Sequence, residues 1–173
     1  MGNRKSSFVA AAVVAVSALV MSVGGTASAA EEAAAPSLID GAGQEQVEIT
    51  AVSDGDGLGA QAVITCRGNT DNPHKSHTDG RRANVHVNIT CTANVARIAV
   101  RGAIYRDGRL AGTSARNSVT VGRRSAANHA NTACINNHQY GSWVGGEVTF
   151  PAGYRPPTGR ISAVGRSARI TNC

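Results

Sequence analysis

The chain has 173 residues, a formal net charge of +6, 42% hydrophobic residues, 20 glycines and five prolines. This length is typical of one domain with a core of its own, and the composition excludes a collagen-like chain and argues against disorder. Four cysteines suffice for two disulfides but are too few for a knottin-like framework.

The first 29 residues have the three parts of a secretion signal. Arg4 and Lys5 give a positive start, residues 8–23 are mostly Ala and Val, and Ala27-Ser28-Ala29 fits a small-x-small cleavage site. The apolar stretch of 16 residues is short for crossing ~30 Å of hydrocarbon. We therefore predict a signal peptide over residues 1–29 and a secreted, extracellular protein with no transmembrane segment in its mature form.

Charge is distributed unevenly along the rest of the chain. Residues 30–46 lack aromatic residues and are rich in Ala, Gly and acids, which is typical of a flexible leader. Between residues 30 and 56 there are seven acidic residues and no basic ones, whereas 15 basic and four acidic residues follow from residue 57 onwards. We expect an acidic leader over 30–46, followed by one folded domain over 47–173.

Apolar and polar residues alternate through residues 47–173, as they do in half-buried strands. The clearest run alternates Val85, Val87 and Ile89 with polar neighbours. Similar series occur over 47–51, 62–66, 98–105, 144–150 and 161–170, and no stretch shows a convincing 3.6-residue period. The pattern predicts an all-β domain of about seven or eight short strands.

Turn signals separate these runs. Asp107-Gly108 is a two-residue hairpin cue, because Gly accepts the positive φ that a type I′ turn needs. Residues 151–159 contain three prolines and are expected to form a rigid reversal between the last two long strands. Residues 67–82 are polar and without a strand signal, so a long loop is predicted there.

The four cysteines allow three disulfide pairings, and four free thiols are not expected in an extracellular protein. If residues near Phe150 and Ile161 pair across the reversal, antiparallel counting places Tyr140 opposite Thr171. Cys134 then lies just past the end of the strand that contains Cys173. This geometry favours the bridges Cys66–Cys91 and Cys134–Cys173.

Several short elements are shared with a known group of proteins. They include Pro73-His74 with Ser76-His77, Ile104-Tyr105 with Gly108, residues 128–134, and residues 148–154 with Pro156-Pro157 and a terminal Cys. On these elements, residues 66–173 resemble a set of small secreted actinobacterial proteins, most of them uncharacterised. The resemblance implies a single antiparallel β-sandwich of immunoglobulin-like, Greek-key type with two disulfides, and it brings no catalytic residues.

The candidate metal ligands lie in the polar segment over 67–82. His74 and His77 are spaced H-x-x-H with Asp71 and Asp79 nearby, and imidazole and carboxylate groups could hold zinc or copper. No further pair of ligands is spaced to complete a site, so a polar surface loop is favoured. We predict no metal and no cofactor.

A second motif, Asp54-Gly-Asp-Gly57, resembles the start of a calcium loop. The downstream bidentate acid is missing, because residues 59–65 contain no carboxylate. A hairpin or bulge between the first two strands explains the motif equally well.

No catalytic constellation is apparent. There is no Gly-x-Ser-x-Gly elbow, and His86, on its strand, has no recognisable partner in the sequence. The four acids after residue 57 are widely separated, which does not suit paired-carboxylate hydrolysis. We expect a non-enzymatic protein.

Aromatic residues offer one possible binding surface. Tyr140, Trp143 and Tyr154 could form a platform on which sugar rings stack. Alternatively, Trp143 and Phe150 are the large side chains of the core, with the Tyr hydroxyls at its rim. The second interpretation is favoured, because a core otherwise rich in Ala and Val needs large residues.

Arginine gives the most distinctive surface feature. Arg97 and Arg101 share parity on one strand, so both should project from the same sheet face, where guanidinium groups can bind phosphate or carboxylate. We expect binding to an anionic cell-wall or extracellular polymer. Binding to nucleic acid is not favoured, because aromatic residues do not alternate with the basic residues in the sequence. The alternative is a protein-interaction domain, an inhibitor or accessory factor, acting through residues 67–82 or 151–159.

Overall fold

A computed structural model of the chain describes residues 47–55 and 60–173. The predicted signal peptide and acidic leader lie outside the described residues, and so do the last two residues of the Asp54-Gly-Asp-Gly57 motif. Among the described residues, no helix is long and apolar enough to cross a membrane.

The described residues form ten strands and no helix, which confirms the all-β prediction. The predicted seven or eight short strands differ in detail: the runs around Val87 and over 98–105 belong to one strand of 25 residues, whereas the run over 161–170 contains parts of two strands. The strands are β1 (Glu48–Ser53), β2 (Val63–Thr70), β3 (His74–Lys75), β4 (Arg82–Arg106), β5 (Arg109–Thr113), β6 (Ser118–Ala133), β7 (His138–Thr149), β8 (Tyr154–Arg155), β9 (Thr158–Val164) and β10 (Ala168–Ile170).

All strand pairs are antiparallel and belong to one nearly barrel-shaped sheet, with the order β10-β7-β4-β2-β1-β8. The 25-residue strand β4 joins its parts. The first half of β4 pairs with β2 on one side and β6 on the other. Its second half pairs with β7 on one side and, on the other, first with the start of β6 and then with β5. Because β4 connects all ten strands, the structure shows an antiparallel all-β domain and does not confirm two separate sandwich sheets.

The inner face of β4 stays apolar along its length because the strand has a bulge. The register with β6 shifts between Thr90 and Val95, which reverses the parity of the buried positions. Ile89 before the shift and Ile98 after it therefore both enter the core. The main core also contains residues of β1, β7 and β9, and two smaller buried clusters lie around Tyr140 and Trp143.

The predicted loop and the predicted reversal both contain strand residues. Arg67–Thr70 belongs to β2, because these residues continue its pairing with β4, and His74–Lys75 form β3. Within 151–159, Tyr154 and Arg155 pair with β1 as β8, and β9 already begins at Thr158. Polar side chains concealed these strands, since the backbone pairs while one side remains in solvent. The Asp107-Gly108 hairpin is confirmed, with positive φ at both residues.

Both predicted disulfides are present. Cys66 and Cys91 lie directly opposite each other on β2 and β4, with their Cα atoms 3.9 Å apart, and both are buried. Cys134 and Cys173 are joined at 5.5 Å between Cα atoms.

The register used to infer the second bridge is wrong, however. Tyr140 pairs with Ala168 rather than with Thr171, because the reversal pairs Thr149 with Thr158. Continuing the observed register past the end of β10 brings Cys173 level with Ile135, which is next to Cys134 in the chain. The true register therefore favours this bridge more strongly than the predicted one.

Candidate functional site

Arg97 and Arg101 lie on the outer face formed by β4, β7 and β9, here called the β4–β7–β9 face. The register places both on the side of β4 away from the buried Ile98 and Val100. Glu147, on β7, lies between two arginines: its Oε1 is 3.8 Å from Nη1 of Arg97, and its Oε2 is 3.9 Å from Nε of Arg160. The predicted Arg face therefore contains a carboxylate at its centre.

Arg101 is held differently from Arg97. Its guanidinium Nη2 lies 3.3 Å from the Thr113 hydroxyl, and the residue is half-buried. This position limits its reach toward a large ligand in solvent.

The aromatic residues are mostly buried. Trp143 is 1% exposed and packs against Ala103 and Tyr105, and its indole Nε1 donates to the Ser162 hydroxyl at 2.9 Å. Tyr140 is fully buried, and its hydroxyl accepts a hydrogen bond from the Ile135 amide at 2.8 Å.

Tyr154 is half-buried against the main core. The three rings therefore do not form an exposed platform for sugar stacking, and the alternative in which Trp143 is a packing residue is confirmed. Burial also raises the pKa of Tyr105 to about 12, because the apolar surroundings disfavour the phenolate.

Most carboxylates of the described residues form ion pairs with particular arginine or histidine side chains. Glu48 pairs with Arg67, Asp54 with Arg155, and Asp79 with Arg81, and two further carboxylates bind histidines. Among ion pairs between described residues, none contains one of the arginines near β5 and β6. Those arginines are Arg82, Arg109, Arg116, Arg123 and Arg124.

Two of these arginines line a groove between β5 and β6, here called the β5–β6 groove. It has a volume of about 810 Å³. Its lining comprises Arg82, Gly112, Thr113, Ala115, Arg116, Asn117, Ser118, Ala127, Asn128, His129 and Asn131. None of these residues is acidic, and most polar groups among them can donate hydrogen bonds.

Side-chain hydrogen bonds hold the walls of the groove. The Ser114 hydroxyl donates to the His129 carbonyl oxygen at 2.8 Å and accepts from the Gly102 amide at 2.8 Å, which holds the segment after β5 against β6 and β4. The Asn128 side-chain amide donates to the carbonyl oxygens of Val100 and Arg116, at 3.0 and 2.9 Å.

Close backbone contact narrows the base of the groove. A Cβ atom at Gly112 would lie 2.2 Å from the Asn131 carbonyl oxygen, so only glycine fits there. Arg82 crosses to Asn131 and donates from Nε to its side-chain oxygen at 2.9 Å. The groove is thus a preformed surface, and its position depends on contacts between distant parts of the chain.

The histidines of the predicted loop do not line this groove, although His74 pairs with Asn84, which pairs in turn with Asn131 of the groove wall. The rings of His74 and His77 have centroids 5.8 Å apart. The prediction missed the partner of His86: its Nδ1 lies 2.8 Å from Oδ2 of Asp71. The 15-residue separation concealed this contact, which the pairing of Thr70 with Val87 brings together. Asp79 is engaged instead by Arg81, whose backbone amide lowers the pKa of that carboxyl.

No protein-family model, curated protein sequence or solved structure matches the chain. The class that the fold defines is an all-β domain with two disulfides, and its function has to be argued from its own surfaces.

Proposed function

We propose that the protein is a secreted, non-enzymatic domain that binds an anionic cell-wall or extracellular polymer through the β5–β6 groove. The observation that carries this proposal is the contrast in charge: Arg82 and Arg116 line a groove without carboxylates, whereas Arg97 and Arg160 share Glu147. Two disulfides in a small all-β domain are compatible with an extracellular location.

The groove suits a polymer that carries phosphate or carboxylate groups and hydroxyls. Guanidinium groups bind such oxyanions with paired hydrogen bonds. The amides of Asn117 and Asn131 and the imidazole of His129 add neutral hydrogen-bonding groups along the same wall. A repeating anion would contact both arginines along one groove, and the neutral groups would orient its sugar hydroxyls.

The test is a sedimentation assay on isolated bacterial cell walls at low and physiological salt. Salt screens exposed charges, so binding should fall as the ionic strength rises. The double variant Arg82→Gln/Arg116→Gln should lose most of the binding that the wild type shows at low salt. The matched control is Arg67→Gln/Arg155→Gln, which removes the same charge from residues that are already paired with Glu48 and Asp54.

The outcomes separate the proposal from its alternatives. Equal loss in both double variants would mean that only net charge matters and would contradict the groove as the site. Binding that neither salt nor the groove variants change would also contradict it, and would favour a protein partner at residues 67–82 or 151–159.

A further inference from the structure

We propose that Asp71, His74 and His86 form a binding site for a divalent transition-metal cation such as Zn²⁺, beside the β5–β6 groove, since His86 pairs with His129 of the groove wall. One ligand atom from each of the three side chains lies within 4.8 Å of the other two. Imidazole nitrogen and carboxylate oxygen are common zinc ligands. This is the one such cluster among the described residues.

Three segments of the sheet bring these side chains together. Asp71 follows β2 directly, at the point where Thr70 pairs with Val87 of β4. His74 lies on β3, which pairs with the start of β4, and His86 lies on β4. Because all three are at or next to paired strands, the ligand atoms are positioned by backbone hydrogen bonds.

The interatomic distances suit a tetrahedral ion. Oδ2 of Asp71 is 2.8 Å from Nδ1 of His86 and 3.6 Å from Nδ1 of His74. Ligands at about 2.0–2.1 Å from a tetrahedral zinc ion are roughly 3.3 Å apart. The two observed distances bracket this value, so a small side-chain adjustment would seat an ion. Water would occupy the fourth position, because the cluster is open to solvent.

Neighbouring groups already orient the ligands. The second carboxylate oxygen of Asp71 accepts a hydrogen bond from the His86 backbone amide at 2.7 Å. Nδ1 of His74 lies 3.0 Å from the Asn72 carbonyl oxygen, a contact that this nitrogen would exchange for the metal, and the His74 and His86 rings are stacked with centroids 5.3 Å apart. The hydrogen bond to Asp71 is of the kind that orients a ligating carboxylate in metal sites.

Asn84 supplies an independent observation. Its Oδ1 atom is buried and has no hydrogen-bond partner among the described residues, while its Nδ2 lies 3.2 Å from Nε2 of His86. If Nδ1 of His86 binds a metal, Nε2 carries the proton and becomes a donor. Rotation of the Asn84 amide then presents the unpartnered oxygen to that proton. Metal binding would therefore give the oxygen a partner, while the rotation moves the side-chain nitrogen into the buried position that the oxygen held.

A second Asp–His pair provides a built-in comparison. Asp107 and His138 are also hydrogen-bonded through Oδ2 and Nδ1, but no third ligand joins them within the described part of the chain. If a simple carboxylate–imidazole contact sufficed to bind zinc, both pairs would do so. The third ligand, His74, is what distinguishes the proposed site.

The test is isothermal titration of Zn²⁺ into the protein purified without a polyhistidine tag. We expect one ion per chain, and we expect His74→Asn to weaken binding by roughly tenfold or more. His138→Asn, the matched control, should bind as the wild type does. His74→Asn leaves the Asp71–His86 contact in place, and circular dichroism checks that it is folded. Ca²⁺ should give no binding, since it requires more oxygen ligands.

A second measurement needs no variant. Co²⁺ added to the wild-type protein should give the visible absorption of a tetrahedral ion. Absence of Zn²⁺ binding, unchanged binding by His74→Asn, equal loss in His138→Asn, or absence of the cobalt spectrum would each overturn the proposal. Failure of wall binding in the groove variants concerns different residues and leaves this site unaffected.

Discussion

The β4–β7–β9 face and the β5–β6 groove both contain arginines, but their electrostatics differ because of one acid. On the face, Glu147 lies within 4 Å of both Arg97 and Arg160. In the groove, Arg82 and Arg116 lie among amides, hydroxyls and an imidazole, without a carboxylate. The comparison teaches that the placement of the few acids, more than the number of arginines, decides where an anion can bind.

The two regions also differ in what lies beneath their polar groups. The face includes Trp143, which is buried beside Gly145: a Cβ atom at Gly145 would lie 2.0 Å from the indole ring. The groove has small residues and backbone contacts at its base, as at Gly112. The face therefore contributes to stability through packing, whereas the groove leaves its donors accessible.

The largest effect that we expect is a loss of stability on the face. Trp143→Ala should lower the free energy of unfolding by about 3–5 kcal/mol, because it removes a large buried side chain and the Ser162 hydrogen bond. Urea unfolding measures this change, and Val121→Ala is the control, since Val121 is 71% exposed. A change below about 0.5 kcal/mol for Trp143→Ala would contradict its packing role.

The next effect concerns the base of the groove. Gly112→Ala should lower the free energy of unfolding by about 1–3 kcal/mol, because its methyl group would overlap the Asn131 carbonyl. Wall binding should weaken in the same variant as β5 moves away from β6. The control is Gly122→Ala, where an added Cβ atom meets nothing within 4 Å and only the positive φ is strained. If Gly122→Ala weakened binding equally, groove shape would not be the cause.

Removal of the Glu147 carboxylate should make the β4–β7–β9 face more like the β5–β6 groove in its ability to bind anions. Glu147→Gln leaves Arg97 and Arg160 without their carboxylate, so we expect a few-fold gain in affinity for a polyanion. This size matches a surface ion pair of about 0–1 kcal/mol. Glu48→Gln makes the same change in net charge next to Arg67 and serves as the control. An equal gain in both variants would attribute the effect to total charge alone.

The smallest effect is an acid-dependent one at the β4–β5 hairpin. The hydrogen bond with His138, and then the Gln139 amide, hold the pKa of Asp107 below its usual value. The stabilisation is therefore present above the ordinary pKa of about 3.9 and is lost as pH falls through the lower folded pKa. Unfolding measured from pH 6 to 2 should show a shallower acid decline for Asp107→Asn, and an unchanged decline would contradict this contribution.

Much of the fold could be predicted because it depends on local sequence patterns. Alternation identified the strand around Val87, and Asp107-Gly108 identified its turn, since both signals depend on neighbouring residues. Residues 67–70 and 154–155 escaped prediction, because their pairing depends on partners far away in the sequence. The bulge in β4 leaves a trace in the alternation, because apolar positions are odd-numbered up to Ile89 and even-numbered from Ile98, but the single sheet depends on pairings between distant strands.

The candidate sites were harder to predict than the strands, because they too depend on residues that are distant in the sequence. Arg97 and Arg101 were placed on one face by parity, but Glu147 arrives from another strand and changes what that face can bind. The β5–β6 groove combines β4, β5 and β6 around Arg82 and Arg116, which are 34 residues apart. No spacing rule joins such residues, so this surface becomes visible only when the strands are assembled.

The most direct test of the central claim is a nuclear magnetic resonance titration of the ¹⁵N-labelled protein with soluble inorganic polyphosphate. We expect the largest chemical-shift changes at the backbone amides of Asn117, Asn128 and Asn131 and at the side chains of Arg82 and Arg116, and we expect them to diminish with added salt. Changes centred on Arg97 and Arg160, or the absence of any localised change at low salt, would contradict that claim.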